Sequence, residues 1–355
     1  MHISRKKVLA ASVAAACAAP MAASAQAPLD LQIYGRVNIS YENIKTDQTN
    51  WEMVDNSSRI GFRGSKALGG GLKGLFQIES RAKVDDGSKG NPEGGVLASR
   101  DSYVGLQHDG FGTGRLGRTI GPVYYATYDY ISMHNHDTGT SSDALLAPTV
   151  FGNMGFMDNT IWYTSPKIAG AFSVDVAYSR LAETRTAGLD KQPSYLGIVG
   201  AYDRGPLHLA VSHAQTKDSA VIAPGIGNDD MAFTIGGLYD FKRFVIGALY
   251  EAATSDLAGG GDVSRGYWRV SAMMPVGKHE FHVNVGMVDG RLDQDGSDDG
   301  AMQWTVAYNY NLTKEFKLYT FYTMVDNDTN GNYGFRTNTP GLDNKSFAVG
   351  ARYNF

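Results

Sequence analysis

The sequence predicts an all-β fold, a transmembrane antiparallel β-barrel of about sixteen strands. Three observations predict it. Apolar and polar residues alternate in segments of about ten residues from Leu31 to the C-terminal Phe355, with no helical segment to cover the apolar face. The connections between these segments are alternately short and long, which is the layout of a barrel crossing a bacterial outer membrane. Beyond an N-terminal targeting segment, no apolar run is long enough for a membrane helix. In lipid every backbone N–H and C=O needs a partner strand, so a spanning sheet must close on itself.

Residues 1–25 read as a signal peptide. Arg5, Lys6 and Lys7 form its positive start, Val8 to Ala19 its short apolar stretch, and Ala23-Ser24-Ala25 its small-residue cleavage site. Residues 26–355 are then a single barrel domain. Cleavage after Ala25 removes the sole cysteine, Cys17, so the exported chain has no disulfide and must be held by its hydrogen-bonded ladder. Cleavage also lowers Lys+Arg from 32 to 29 against 36 Asp+Glu, for a net charge of −7. That balance argues against nucleic acid as a partner.

The pattern starts with Ile33, Val37, Ile39 and Tyr41 opposing Gln32, Arg36, Asn38 and Ser40. The clearest hairpin is 57–81. Ile60 and Phe62 oppose Arg59 and Arg63, a Gly-rich bend follows at Ala67–Leu72, and Phe76 and Ile78 then oppose Gln77, Glu79 and Arg81. Further strands are expected near 100–107, 113–118, 159–165, 171–180, 194–203, 207–215, 231–241, 244–252, 264–274, 279–288, 301–310, 315–325 and 344–355. Long loops are expected at 43–56, 84–99, 119–155, 181–192, 216–230, 253–263, 289–300 and 326–343. Tyr163, Tyr178, Tyr202, Tyr239, Tyr250, Tyr308, Tyr310 and Tyr353 share faces with aliphatic neighbours near strand ends and are expected in interfacial girdles. The last strand ends on Phe355 and must close the barrel against the first.

The Arg-hydrophobe-Gly-Phe-basic-Gly run from Arg59, the Leu-Gly-Gly-Gly-Leu turn and the following Phe-Gln-Ile-Glu strand resemble the second and third strands of Gram-negative general porins. The resemblance is closest to the beta-proteobacterial type. It implies a water-filled outer-membrane channel for passive diffusion of small hydrophilic solutes and ions, assembled as a homotrimer among outer-membrane lipids and lipopolysaccharide. It also implies that Phe355 carries the signal read by the barrel assembly machinery. The start of the 119–155 connection, Gly117 to Tyr130, resembles the porin third loop, which folds into the lumen. About 37 residues without obvious secondary structure are themselves a sign of function. On that resemblance Arg36, Arg59, Arg63, Arg81, Arg100 and Arg118 are the basic residues of a constriction. Glu79 and the loop carboxylates Asp129, Asp137 and Asp143 are its acidic ones. Phe156 stands where many relatives carry arginine, which would weaken the field.

His134 and His136 are spaced to chelate a metal or titrate near neutral pH, or serve as polar filler. The acidic run 289–300 departs from a calcium loop at Ser297. No metal and no cofactor is assigned. The main alternative is a substrate-specific channel for dicarboxylates, sugars or aromatic solutes on the same barrel. A barrel enzyme lacks any Gly-x-Ser-x-Gly signature.

Overall fold

The computed structural model describes residues 29–87, 97–133, 138–145, 155–181, 192–218, 229–256, 261–289, 298–335 and 339–355. The signal segment, Cys17, His134, His136, Asp137 and residues 290–297 of the acidic run lie outside the described residues.

Seventeen hydrogen-bonded segments form one antiparallel sheet. They are β1 (Asp30–Lys45), β2 (Thr49–Asp55), β3 (Arg59–Gly69), β4 (Leu72–Arg81), β5 (Ser102–His108), β6 (Gly112–Thr119) and β7 (Met157–Thr164). There follow β8 (Phe172–Arg180), β9 (Ser194–Arg204), β10 (Leu207–Lys217), β11 (Asp230–Asp240) and β12 (Val245–Asp256). The wall is completed by β13 (Asp262–Val276), β14 (His279–Val288), β15 (Ala301–Asn311), β16 (Phe316–Asn327) and β17 (Asn344–Asn354). The sheet closes where β17 pairs with β1, from Arg36 opposite Asn354 to Lys45 opposite Lys345. Beyond that ladder Phe355 exchanges two backbone bonds with Gly35, at 3.0 and 2.9 Å.

Both β2 and β3 pair with β1, so they are halves of one wall strand and the barrel has sixteen spanning strands. The break at 56–58 shifts the register by one: Ile39 faces Asp55 above it and Arg36 faces Arg59 below it. Ser57, at φ 59°, absorbs the extra residue. The expected long loop at 43–56 is thus a tight hairpin turning at 46–48. Its outer face carries Trp51 and Met53, and Trp51 stacks on Tyr41 with centroids 5.0 Å apart. The alternation of Trp51, Glu52 and Met53 is intact, but the extra residue at 56–58 puts it out of step with the strand that follows.

The two faces are inverted relative to a soluble protein. Ile33, Ile60, Phe62, Ile78, Val104 and Val349 are exposed, whereas Asn38, Ser40, Glu42, Asn284, Gln303 and Asn344 are buried on the inner face. This is the alternation a barrel in lipid requires. Short turns lie at one rim. The β3–β4 turn runs through Gly69, Gly70 and Gly71, all at positive φ (96°, 58° and 82°), which a side chain would strain. Tyr163, Tyr178, Tyr239, Tyr250 and Tyr353 are exposed on the outer face, and Tyr202, Tyr308 and Tyr310 are half-buried.

The 119–155 connection is not structureless. Pro122–Tyr124 is α-helical, Tyr125–Asp129 makes a π turn, Tyr130–Ser132 returns to α, and Gly139–Ser141 is a 3-10 turn. Pro122 sits at the first turn, where its missing N–H costs nothing. Val123, Tyr124, Thr127, Tyr128 and Ile131 are buried, a stripe at helical spacing that a search for alternation passes over. The stripe shares one buried cluster with apolar inner-face residues, including Ala210, Ala232 and Leu249. A Cβ at Gly247 would lie 3.0 Å from Ile131 Cγ2, so glycine makes room for this contact.

Candidate functional site

The residues expected in a constriction come from distant parts of the sequence, and seven of the ten line one cavity. It measures about 360 Å³. Arg36 comes from β1, Arg59 and Arg63 from β3, Glu79 and Arg81 from β4, Arg100 from the approach to β5, and Asp129 from the helical segment. Tyr34, Asp101, Tyr124, Tyr125 and Phe156 complete much of its lining. Strand alternation brings the arginines together, since Arg36 and Arg59 are directly paired, as are Arg59 and Arg81.

Glu79 is the electrostatic hub. Arg100 Nε donates to its Oε1 at 2.5 Å, Arg59 Nε lies 3.9 Å from the same oxygen, and the Tyr34 hydroxyl donates to Oε2 at 2.9 Å. The Arg100 N–H also donates to the Glu79 carbonyl at 3.0 Å. With both side chains about one-tenth exposed, the Arg100–Glu79 pair is shielded from water, and removing either partner would strand a charge. Arg63 Nε donates to Gln32 Oε1 at 2.7 Å, and its guanidinium lies 4.7 Å from the Tyr34 ring centre. Arg36 Nε donates to Asn354 Oδ1 at 3.0 Å.

Asp101 ties the helical segment to this wall. It accepts the Tyr125 hydroxyl and the Ile120 N–H, the latter at 3.2 Å. Burial and the Asp101 carboxylate hold the Tyr125 hydroxyl well above its ordinary range, so it stays protonated as a donor.

Arg118 and Asp143 stand apart from the cavity. Arg118 pairs with Asp158 and donates from Nε to the Ser99 carbonyl at 3.3 Å. Asp143 is buried and accepts from Arg269 Nε at 2.6 Å and from the Tyr267 hydroxyl. It is an anchor rather than a water-facing acid, because its partners on β13 are themselves buried. Asp137 lies outside the described residues.

Other clasps reinforce that anchor. Glu42 accepts from the Thr140 hydroxyl at 2.7 Å, and Gln303 accepts from the Ala144 N–H at 3.0 Å. Tyr128 donates to Glu251, and His208 Nε2 meets the Ala126 carbonyl at 2.8 Å. Sequence reasoning missed Tyr34, Asp101, Tyr125, Glu251 and Arg269. Alternation does put Tyr34 with Arg36 and Arg269 opposite Val270, but nothing in the sequence marks which inward residue meets the loop.

Comparison with known proteins places this geometry. A family model described as Gram-negative porin matches residues 10–331. Outer membrane porin protein 32 of Delftia acidovorans is 29% identical over 336 residues, covering 89% of this chain and 88% of its own. An outer membrane porin protein of Bordetella pertussis is 25% identical over 372 residues, covering 89% of this chain and 94% of its own. The solved anion-selective porin from Comamonas acidovorans superposes with a TM-score of 0.77 at 26% identity, over 92% of this chain and 100% of that one. The closed sixteen-stranded barrel, its inverted faces and these matches establish that the chain belongs to the Gram-negative porin family, the channels of the outer membrane.

Proposed function

We propose that the 119–155 segment narrows the lumen, and that the cavity beside it is an electrostatic filter favouring small anions. One observation carries this. Among the described residues, five guanidiniums (Arg36, Arg59, Arg63, Arg81 and Arg100) meet three carboxylates (Glu79, Asp101 and Asp129). Asp143, the other described loop acid, is spent on Arg269 and does not offset that surplus. Charges held on low-dielectric walls around narrow water are screened less than on an open surface, so a net surplus acts on a passing ion. Phe156 adds no charge of its own, but it packs against the basic wall. Its ring centre lies 4.9 Å from the Arg100 guanidinium and 5.7 Å from that of Arg118, a geometry that steadies both.

In this mechanism solutes diffuse down their gradients, with no covalent step and no cofactor. The exposed apolar band meets lipid, lipopolysaccharide and neighbouring copies in a homotrimer. Phe355, half-exposed on the closing strand, is positioned for recognition by the barrel assembly machinery. Planar-bilayer recording of the purified protein tests the proposal. Insertion in steps of three equal conductances, with current proportional to salt, is expected. Single unitary steps would overturn the trimer, and absence of current would overturn the channel.

A further inference from the structure

The tyrosines on the outer face account for only part of the aromatic content. A second set points inward on β5–β7, and each of these rings is matched to a guanidinium or another ring. Arg100 and Arg118 face Phe156. Arg115 lies 4.4 Å from the Trp162 ring centre and 5.5 Å from that of Tyr103. Tyr125 stacks on Trp162 with centroids 6.1 Å apart and planes 13° apart, joining the two groups. Phe156 and Trp162 are six residues apart, so along an extended chain the series covers roughly 20 Å from the cavity toward the short-turn rim. The Trp162 indole is fixed by its N–H, which donates to Asp175 at 2.8 Å.

Phe156 and Trp162 pack in part against the cluster under the helical segment, but each stays only half-buried, and a filter for charge alone gains nothing from the ring surface left toward water. We propose, building on the channel reading above, that this wall is a binding track for aromatic carboxylates. A carboxylate takes paired N–H donors from a guanidinium. A planar ring stacks on the faces of the same guanidiniums and of Trp162, Tyr125 and Phe156. An aliphatic acid of equal size and charge gains only the first contact. Arg100 is held by Glu79, so the carboxylate is taken by Arg115 beside Trp162, with Phe156 and Tyr125 offering ring surface along the way.

The test uses the full-length protein in a planar bilayer in potassium chloride, with benzoate and cyclohexanecarboxylate added in turn. The two probes share charge and approximate size and differ in the ring. Benzoate is expected to reduce the current at a roughly tenfold lower concentration, the scale of one partly desolvated stacking contact. Trp162→Leu should remove most of that difference, Trp162→Phe should retain it, and Trp51→Leu on the outer hairpin should leave it unchanged. Isothermal titration of the detergent-solubilised protein supplies the same comparison without current. Normal conductance with equal block by both probes would overturn the track and leave the channel standing. Absence of conductance would overturn the channel, and equal titration affinities would then overturn the track as well.

Discussion

Asp143→Asn tests whether the loop is held by a buried ion pair. The Arg269 side chain is fully buried and that of Asp143 is 5% exposed, with 2.6 Å between Nε and the carboxylate. Neutralising Asp143 leaves the guanidinium without its counter-charge, and losing one partner of a buried pair costs about 3–5 kcal/mol. The barrel keeps its ladder, so the cost falls on the clasp at 138–145, which is held otherwise by Glu42 and Gln303. At about 1.4 kcal/mol per tenfold, local opening should rise by roughly 10²- to 10⁴-fold. Hydrogen exchange reads this directly at the Ala144 amide, which donates to Gln303. Asp143→Asn with Arg269→Met should regain most of the protection, because the neutral pair leaves no buried charge to strand and the new side-chain amide oxygen at position 143 can still accept from the Tyr267 hydroxyl. Unchanged exchange at Ala144 in the single variant would refute the anchor.

Tyr128→Phe removes the hydroxyl that donates to buried Glu251, leaving Thr234 at 3.0 Å; a cost of about 1–3 kcal/mol should appear as faster exchange at 122–132 and noisier open-channel current. Gly247→Val forces a branched side chain against Ile131 and should loosen the same segment by about 1–3 kcal/mol, measured in the same exchange experiment. Gly35→Val sets a Cβ 2.7 Å from the Arg59 carbonyl and against the Phe355 ring, and should lower the fraction of protein that runs as a compact barrel on an unheated gel. Replacing Arg59 and Arg100 with serine leaves three guanidiniums and three carboxylates in the cavity and should abolish most anion preference.

The wall was legible because burial in lipid imposes a strict period of two: Ile60, Phe62 and Ile78 face out, and Arg59, Arg63 and Glu79 face in. The same period puts Arg36, Arg59, Arg63 and Arg81 on one inner wall without any three-dimensional information, whereas Arg100, in phase with outward-facing Val104 and Leu106, reaches the cavity only because the chain has left the strand before β5. What it misses is contact between the wall and the 119–155 segment. Asp129 and Asp143 are equivalent in sequence, two acids in a polar loop, yet one lines the cavity and the other is buried against Arg269. That difference depends on where the helical segment docks, which is set by Ala210, Ala232 and Gly247 on β10–β12. The strand break at 56–58 was equally hidden, since a one-residue bulge leaves both flanking patterns intact but out of step.

The most direct test of the charged filter is the zero-current potential of the reconstituted channel under a potassium chloride gradient. The account predicts a potential of the sign set by chloride permeating faster than potassium, shrinking toward zero in the Arg59→Ser, Arg100→Ser variant. A potential of the opposite sign, or one that this double substitution leaves unchanged, would contradict it.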